Sequence, residues 1–142
     1  MTVRNAYAAG AVIINEKNEV LLQRRGDDNT WCIPGGGIEV GESTEETTIR
    51  EVYEETGLTL HKLELFNVYS GKSQYHVYPD GNAYYFVSIV YKTKSYSGDL
   101  IIDGDETVDL KFFNVNDFPS NVNTANQTML DDIKEKLTKK ES

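Results

Sequence analysis

Residues 36–58 read GGIEVGESTEETTIREVYEETGL, and the fold follows from this stretch. Ser43 with Glu46 three residues on makes a capping box, and Gly57 before Leu58 is a helix stop, so the signals predict a helix over residues 44–56. At about 100° per residue, Glu51, Glu54 and Glu55 share an arc of roughly 100°. Ile49, Val52 and Thr56 fall on the other side and form the expected buried face. Arg50 stands four residues from both Glu46 and Glu54 and is expected to hold the acidic edge. Glu54 and Glu55 sit in the last turn, where the helix dipole disfavours each anion by about 0.3–1 kcal/mol. A bound cation reverses that sign. Carboxylates without Cys or His neighbours suit hard Mg²⁺ or Mn²⁺ rather than zinc or copper. Gly35, Gly36 and Gly37 precede the helix. Read alone they are a flexible Pro-Gly turn, although such backbone can also approach a ligand closely.

Around this helix the chain reads mostly as strands. Two β-rich runs, residues 7–14 and 19–24, flank the polar turn Asn15-Glu16-Lys17-Asn18 and suggest a hairpin. Trp31-Cys32-Ile33 is a brief extended piece, and residues 60–69, 74–78, 84–91 and 109–115 are further expected strands. Thr124 with Gln127 is the expected cap of a final helix, whose Met129, Ile133 and Leu137 make one apolar stripe. No linker or repeat divides the sequence, so residues 1–142 are expected to form one domain of the mixed α/β (α+β) class, with helices packed on a sheet.

Seen whole, residues 36–58 resemble the Nudix (MutT-like) hydrolase box, G-x5-E-x7-R-E-U-x-E-E-x-G-U, where U is aliphatic. Gly36, Glu42, Arg50, Glu51, Val52, Glu54, Glu55, Gly57 and Leu58 occupy every defined position. With average residue usage such a match arises by chance on the order of once in ten million. The flanks are similar to the family too: Leu21 to Arg25 before the box, Trp31 to Gly35 leading into it, and Phe112-Phe113 with Asp117-Phe118-Pro119 later.

The resemblance implies an α/β/α sandwich around a central mixed sheet, with the box as a loop, helix and loop. It implies hydrolysis of a diphosphate linked to a nucleoside or similar moiety, with Mg²⁺ (or Mn²⁺) held by Glu51, Glu54, Glu55 and the Gly36 carbonyl. Arg50 would orient the acids and Glu42 would support the site. The family does not place the catalytic base consistently. Glu51 and Glu55 are candidates within the box, and Glu106, Asp105 and Asp103 on a later loop; of these, Glu106 is the expected base. Arg4, Arg24 and Arg25 are candidate phosphate contacts, weighed against plain surface roles. Trp31 is read as a packing residue, His76 as a surface-strand histidine, and Tyr75, Tyr78, Tyr84 and Tyr85 as candidates for base stacking.

The composition limits the partners. Twenty-three Asp and Glu against 14 Lys and Arg give a net charge of −9, which argues against duplex nucleic acid as a partner. A small nucleotide or nucleoside diphosphate derivative remains the expected substrate, because a bridging cation converts an acidic patch into an anion site. No apolar run is long enough to span a bilayer, and the start of the chain reads as a strand rather than a signal peptide. The single Cys32 agrees with a cytoplasmic protein, and both monomer and homodimer are compatible with the sequence. The rival reading is a nucleotide-sensing or binding module that keeps the box.

Overall fold

A computed structural model describes residues 2–139; positions 1 and 140–142 of the expected domain lie outside the described residues. In chain order the elements are β1 (Val3–Ile13), β2 (Val20–Arg25), β3 (Trp31–Cys32), β4 (Gly35–Gly37), α1 (Thr44–Thr56), β5 (Thr59–Leu60) and β6 (Glu64–Tyr69). A short 3₁₀ turn (Lys72–Gln74), β7 (Tyr75–Val77), β8 (Ala83–Thr93), β9 (Tyr96–Ser97), β10 (Thr107–Phe113) and α2 (Thr124–Lys139) follow.

The main sheet has the order β4-β1-β8-β6, with β7 also paired to β8. It is mixed: β1 and β8 run parallel over eleven residues, while β4, β6 and β7 pair antiparallel. A second, antiparallel sheet has the order β10-β2-β3, and β5 pairs with β9. Side chains along β1 alternate between two cores, as the two-residue period of a strand requires. Ala11 and Ile13 pack with Val52 of α1, Leu21, Leu58, Leu60 and Leu110. Val12 and Ile14 turn the other way and pack with Met129, Leu130, Ile133 and Leu137 of α2. The helices therefore cover opposite faces, giving the expected α/β/α sandwich. Ile133 is fully buried, so Ile133→Ala should lower the unfolding free energy by about 2–5 kcal/mol in a denaturant titration.

Four local expectations need correction. The expected hairpin does not form: β1 and β2 join different sheets and touch only through the bridge between Ile14 and Val20. The cause is that both edges of β1 are taken, one by β8 and the other by β4. The three glycines are not a flexible turn but strand β4, paired with Ala8, Ala9 and Gly10. At the start of α2 the cap is Asn123 rather than Thr124, since Asn123 Oδ1 accepts from Asn126 N at 2.8 Å, while the Gln127 side chain donates forward to Asp131. In α1 the buried arc is Thr47, Thr48, Val52 and Thr56, and Ile49 faces solvent.

Candidate active site

The helix α1 is fixed at both ends. Ser43 Oγ accepts from Glu46 N at 3.0 Å and Glu46 Oε1 accepts from Ser43 N at 2.9 Å, completing the capping box. Gly57 takes a left-handed φ of 84° and donates to Tyr53 O, a conformation suited to glycine. Because Glu46 is committed to the cap, Arg50 does not pair with it. The Arg50 guanidinium instead grips Glu42 with a fork of 2.7 and 2.9 Å bonds, reaches Glu54 Oε1 at 3.0 Å and donates to Gly37 O at 3.2 Å. These bonds hold the Glu42 carboxyl down to about 2 and tie the glycine strand, the following loop and the helix into one frame.

Glu51 and Glu55 point from this frame into a cavity of about 770 Å³ between the glycine strand, the end of β2, the middle of β8 and the start of α2. Glu55 Oε1 accepts from Gly35 N at 2.8 Å. Burial pushes the Glu55 carboxyl up to about 8, against the opposing effects of the Gly35 bond and of Gln23. Burial also raises Glu51. Glu51 lies against Gly36 so tightly that a Cβ there would come within 2.5 Å of its carboxyl carbon. Its Oε2 is buried with no hydrogen-bond partner, and Arg50 Nη1 stands 3.6 Å away. A carboxylate oxygen kept dry and unbonded is costly unless something positive reaches it.

Among the described residues, no group of three or more His, Cys, Asp or Glu converges closely enough to hold a metal by itself. The site nonetheless fits a hard divalent ion, because such ions are commonly held by one or two carboxylates together with water and substrate phosphate. The orphaned Glu51 oxygen, Glu55 and the backbone of Gly36 supply only oxygen donors.

The remaining candidates divide. Glu106 and Asp105 line the cavity, while Asp103 Oδ1 accepts from Asp105 N and Thr107 N of its own loop. Arg25 lines the cavity but is paired with Asp27 at 2.7 Å. Arg24 donates to Asn29 Oδ1, and Arg4 is exposed on β1 beside Tyr84; neither lines the cavity. Glu54 is half exposed, held at its outer edge by Arg50. Trp31 is buried edge-on against Phe113 at 5.0 Å. His76 is half-buried, lines the cavity and meets Tyr78 at 4.5 Å. The tyrosines separate by strand parity: Tyr78 and Tyr84 belong to the aromatic run continuing through Phe86 on the α2 side, while Tyr75, which also borders the cavity, stacks with Tyr85 on the other face.

Sequence spacing does not single out several polar cavity residues, among them Gln23, Gln74, Ser88, Asn123 and Asn126. Gln23 is buried and its Oε1 accepts from Thr107 Oγ1 at 2.7 Å. The signal was a lone amide inside the apolar run VLLQRR.

Glu55 carries a pH signature. Its folded pKa lies above the ordinary carboxylate value, so the native state retains a proton that the unfolded chain has lost. The metal-free protein should therefore lose stability as pH rises from about 4.5 to about 8, by at most about 1.4 kcal/mol per unit. Melting curves across this window should show the slope in wild type and a much shallower one in Glu55→Gln, where the raised Glu51 carboxyl remains.

Comparison with known proteins places this architecture. The NUDIX domain family model matches residues 4–133. The Bacillus subtilis (strain 168) protein named "Putative 8-oxo-dGTP diphosphatase" is 31% identical over 142 residues, covering 88% of this chain and 89% of that protein. The ADP-ribose pyrophosphatase of Methanocaldococcus jannaschii is 34% identical over 110 residues, covering 75% of this chain and 61% of that protein. Among solved structures, a MutT NUDIX hydrolase from Burkholderia pseudomallei superposes with a TM-score of 0.77 at 25% identity, over 93% of this chain and 98% of the other. The chain belongs to the Nudix family of MutT-like hydrolases. No helix among the described residues is long and apolar enough to cross a membrane.

Proposed function

We propose that this chain, as one domain, is a Mg²⁺-dependent pyrophosphohydrolase that cleaves a diphosphate linkage in a nucleoside diphosphate derivative. Nucleoside triphosphates, ADP-ribose and nucleotide sugars make up the substrate class. The supporting observation is the buried, unbonded Oε2 of Glu51 held against Gly36 at the cavity wall, with Glu55 beside it.

In this reading Glu51, Glu55 and the Gly36 carbonyl hold the ion, with Glu54 joining from the outer edge, and Mn²⁺ can substitute. The bound ion would neutralise phosphate charge and acidify a water. Arg50 keeps the helix and glycine strand in register through Glu42 and Gly37. Glu106, across the cavity, accepts the proton of the attacking water. Arg25 is placed to exchange Asp27 for a phosphate oxygen. The aromatic wall of Tyr78 and Phe86 accommodates the nucleoside end, and Gln23, Asn123 and Asn126 offer polar contacts. The lone, buried Cys32 suits a reducing compartment, and we place the reaction in the cytoplasm.

A mass-resolved screen with Mg²⁺ tests this, using 8-oxo-dGTP, ADP-ribose, canonical nucleoside triphosphates and nucleotide sugars. The expected result is metal-dependent release of a nucleoside monophosphate from at least one compound. Saturable nucleotide binding without turnover would instead favour a sensing module.

A further inference from the structure

The face of the main sheet that carries α1 is covered only in part. Beneath the helix, β1 buries Ala11 and Ile13, but the other half of the same face lies open. Six apolar or aromatic side chains there are well exposed: Val3, Tyr7, Val68, Tyr75, Val77 and Tyr85, each between 37% and 56% accessible. Strand register places them together. Val3 and Val77 flank Ala83, Tyr75 pairs with Tyr85, Tyr7 with Val87, and Val68 with Ile89. Tyr75 and Tyr85 already stack at 4.8 Å between ring centroids. None of the residues that alternate onto this face from these four strands is charged, in a chain whose net charge is −9.

We propose that this open half-face is a homodimer interface, covered by the same face of a second copy of the chain. Two arguments select that occupant. The first is size. The exposed parts of these six side chains amount to about 500 Å², taking roughly 150 Å² for a whole valine and 210 Å² for a whole tyrosine. That is in the upper range of the largest apolar patch of an ordinary monomer and, with Asn5, Val87 and Ile89 between them, supplies the centre of a standard interface of ~800 Å² per partner. The second is charge. Two copies approaching elsewhere bring acid against acid, whereas this face is neutral and, through a two-fold axis, complementary to itself. A basic partner would be drawn to the acidic surface instead, and an anionic membrane would be repelled. Two such sheets pack face to face at about 10 Å, with tyrosine hydroxyls left at the rim.

Light scattering and sedimentation of the full chain across micromolar concentrations test the proposal. The expected mass is that of two 16.0 kDa chains. Tyr7→Glu and Tyr85→Glu, which would each set like charges close together across the axis, should raise the dimer Kd at least about a hundredfold. Both positions are exposed, so circular dichroism and the melting temperature should change little. Lys134→Glu on α2, on the opposite side of the sandwich, should leave the dimer intact. A monomer at every concentration would overturn the proposal, as would a dimer that survives both substitutions on the sheet face.

Discussion

Glu51→Gln and Glu55→Gln are each expected to lower kcat by about 10³-fold, while Glu54→Gln lowers it by about tenfold. The three residues look equivalent on a helical wheel, and the structure makes them unequal. Glu51 and Glu55 line the cavity, and one oxygen of Glu51 has no hydrogen-bond partner. Glu54 lies at the outer edge and is held by Arg50. The glutamine replacements preserve shape and remove charge, so the fold should persist. In the metal-free state Glu55→Gln should even be more stable above neutral pH, since burial resists ionisation of Glu55. Steady-state rates on the best substrate, with melting temperatures measured with and without Mg²⁺, separate the effects. Wild type should gain melting temperature on metal titration and Glu51→Gln should gain much less. Full activity in Glu51→Gln would rule out the assignment.

Gly36→Ala and Gly35→Ala should fail in different ways. A Cβ on Gly36 meets the end of the Glu51 side chain, which can rotate away, so the fold should survive while turnover falls about 10²–10³-fold as the carboxylate leaves its place. A Cβ on Gly35 meets Ala9 O and Gly10 Cα, both at 2.6 Å. Backbone atoms in a paired strand cannot rotate away, so the sheet edge must separate, at about 3 kcal/mol or more of stability. Chemical denaturation and initial rates measured on both variants distinguish the cases. A Gly36→Ala enzyme with normal turnover would show that Glu51 works from another position.

The parts of this site legible in the sequence are those encoded locally. Capping and spacing around Ser43, Glu46 and Gly57 delimit α1, and its bounds in the structure are Thr44–Thr56. The acidic arc is equally local. Partner choice between distant segments is not. A strand signature at residues 7–14 cannot reveal that its partner lies about 80 residues away in β8, so the nearest strand looked like the natural mate. Strand parity likewise decides which tyrosines share a face, and parity needs the register. The role of Gln23 depends on Thr107 and on the loop carrying Glu106, which only the paired β2 and β10 bring together.

The long parallel ladder between β1 and β8 also orders events during synthesis. Strand β1 cannot complete its pairing until residues 83–93 have been made, and among the described residues β4 has β1 as its only partner strand. The glycine strand and α1 are therefore translated long before the sheet that positions them exists. The nascent chain must carry the apolar residues of β1 without their β8 partner until residues 83–93 emerge, which makes the pairing of β1 with β8 the expected slow step of folding.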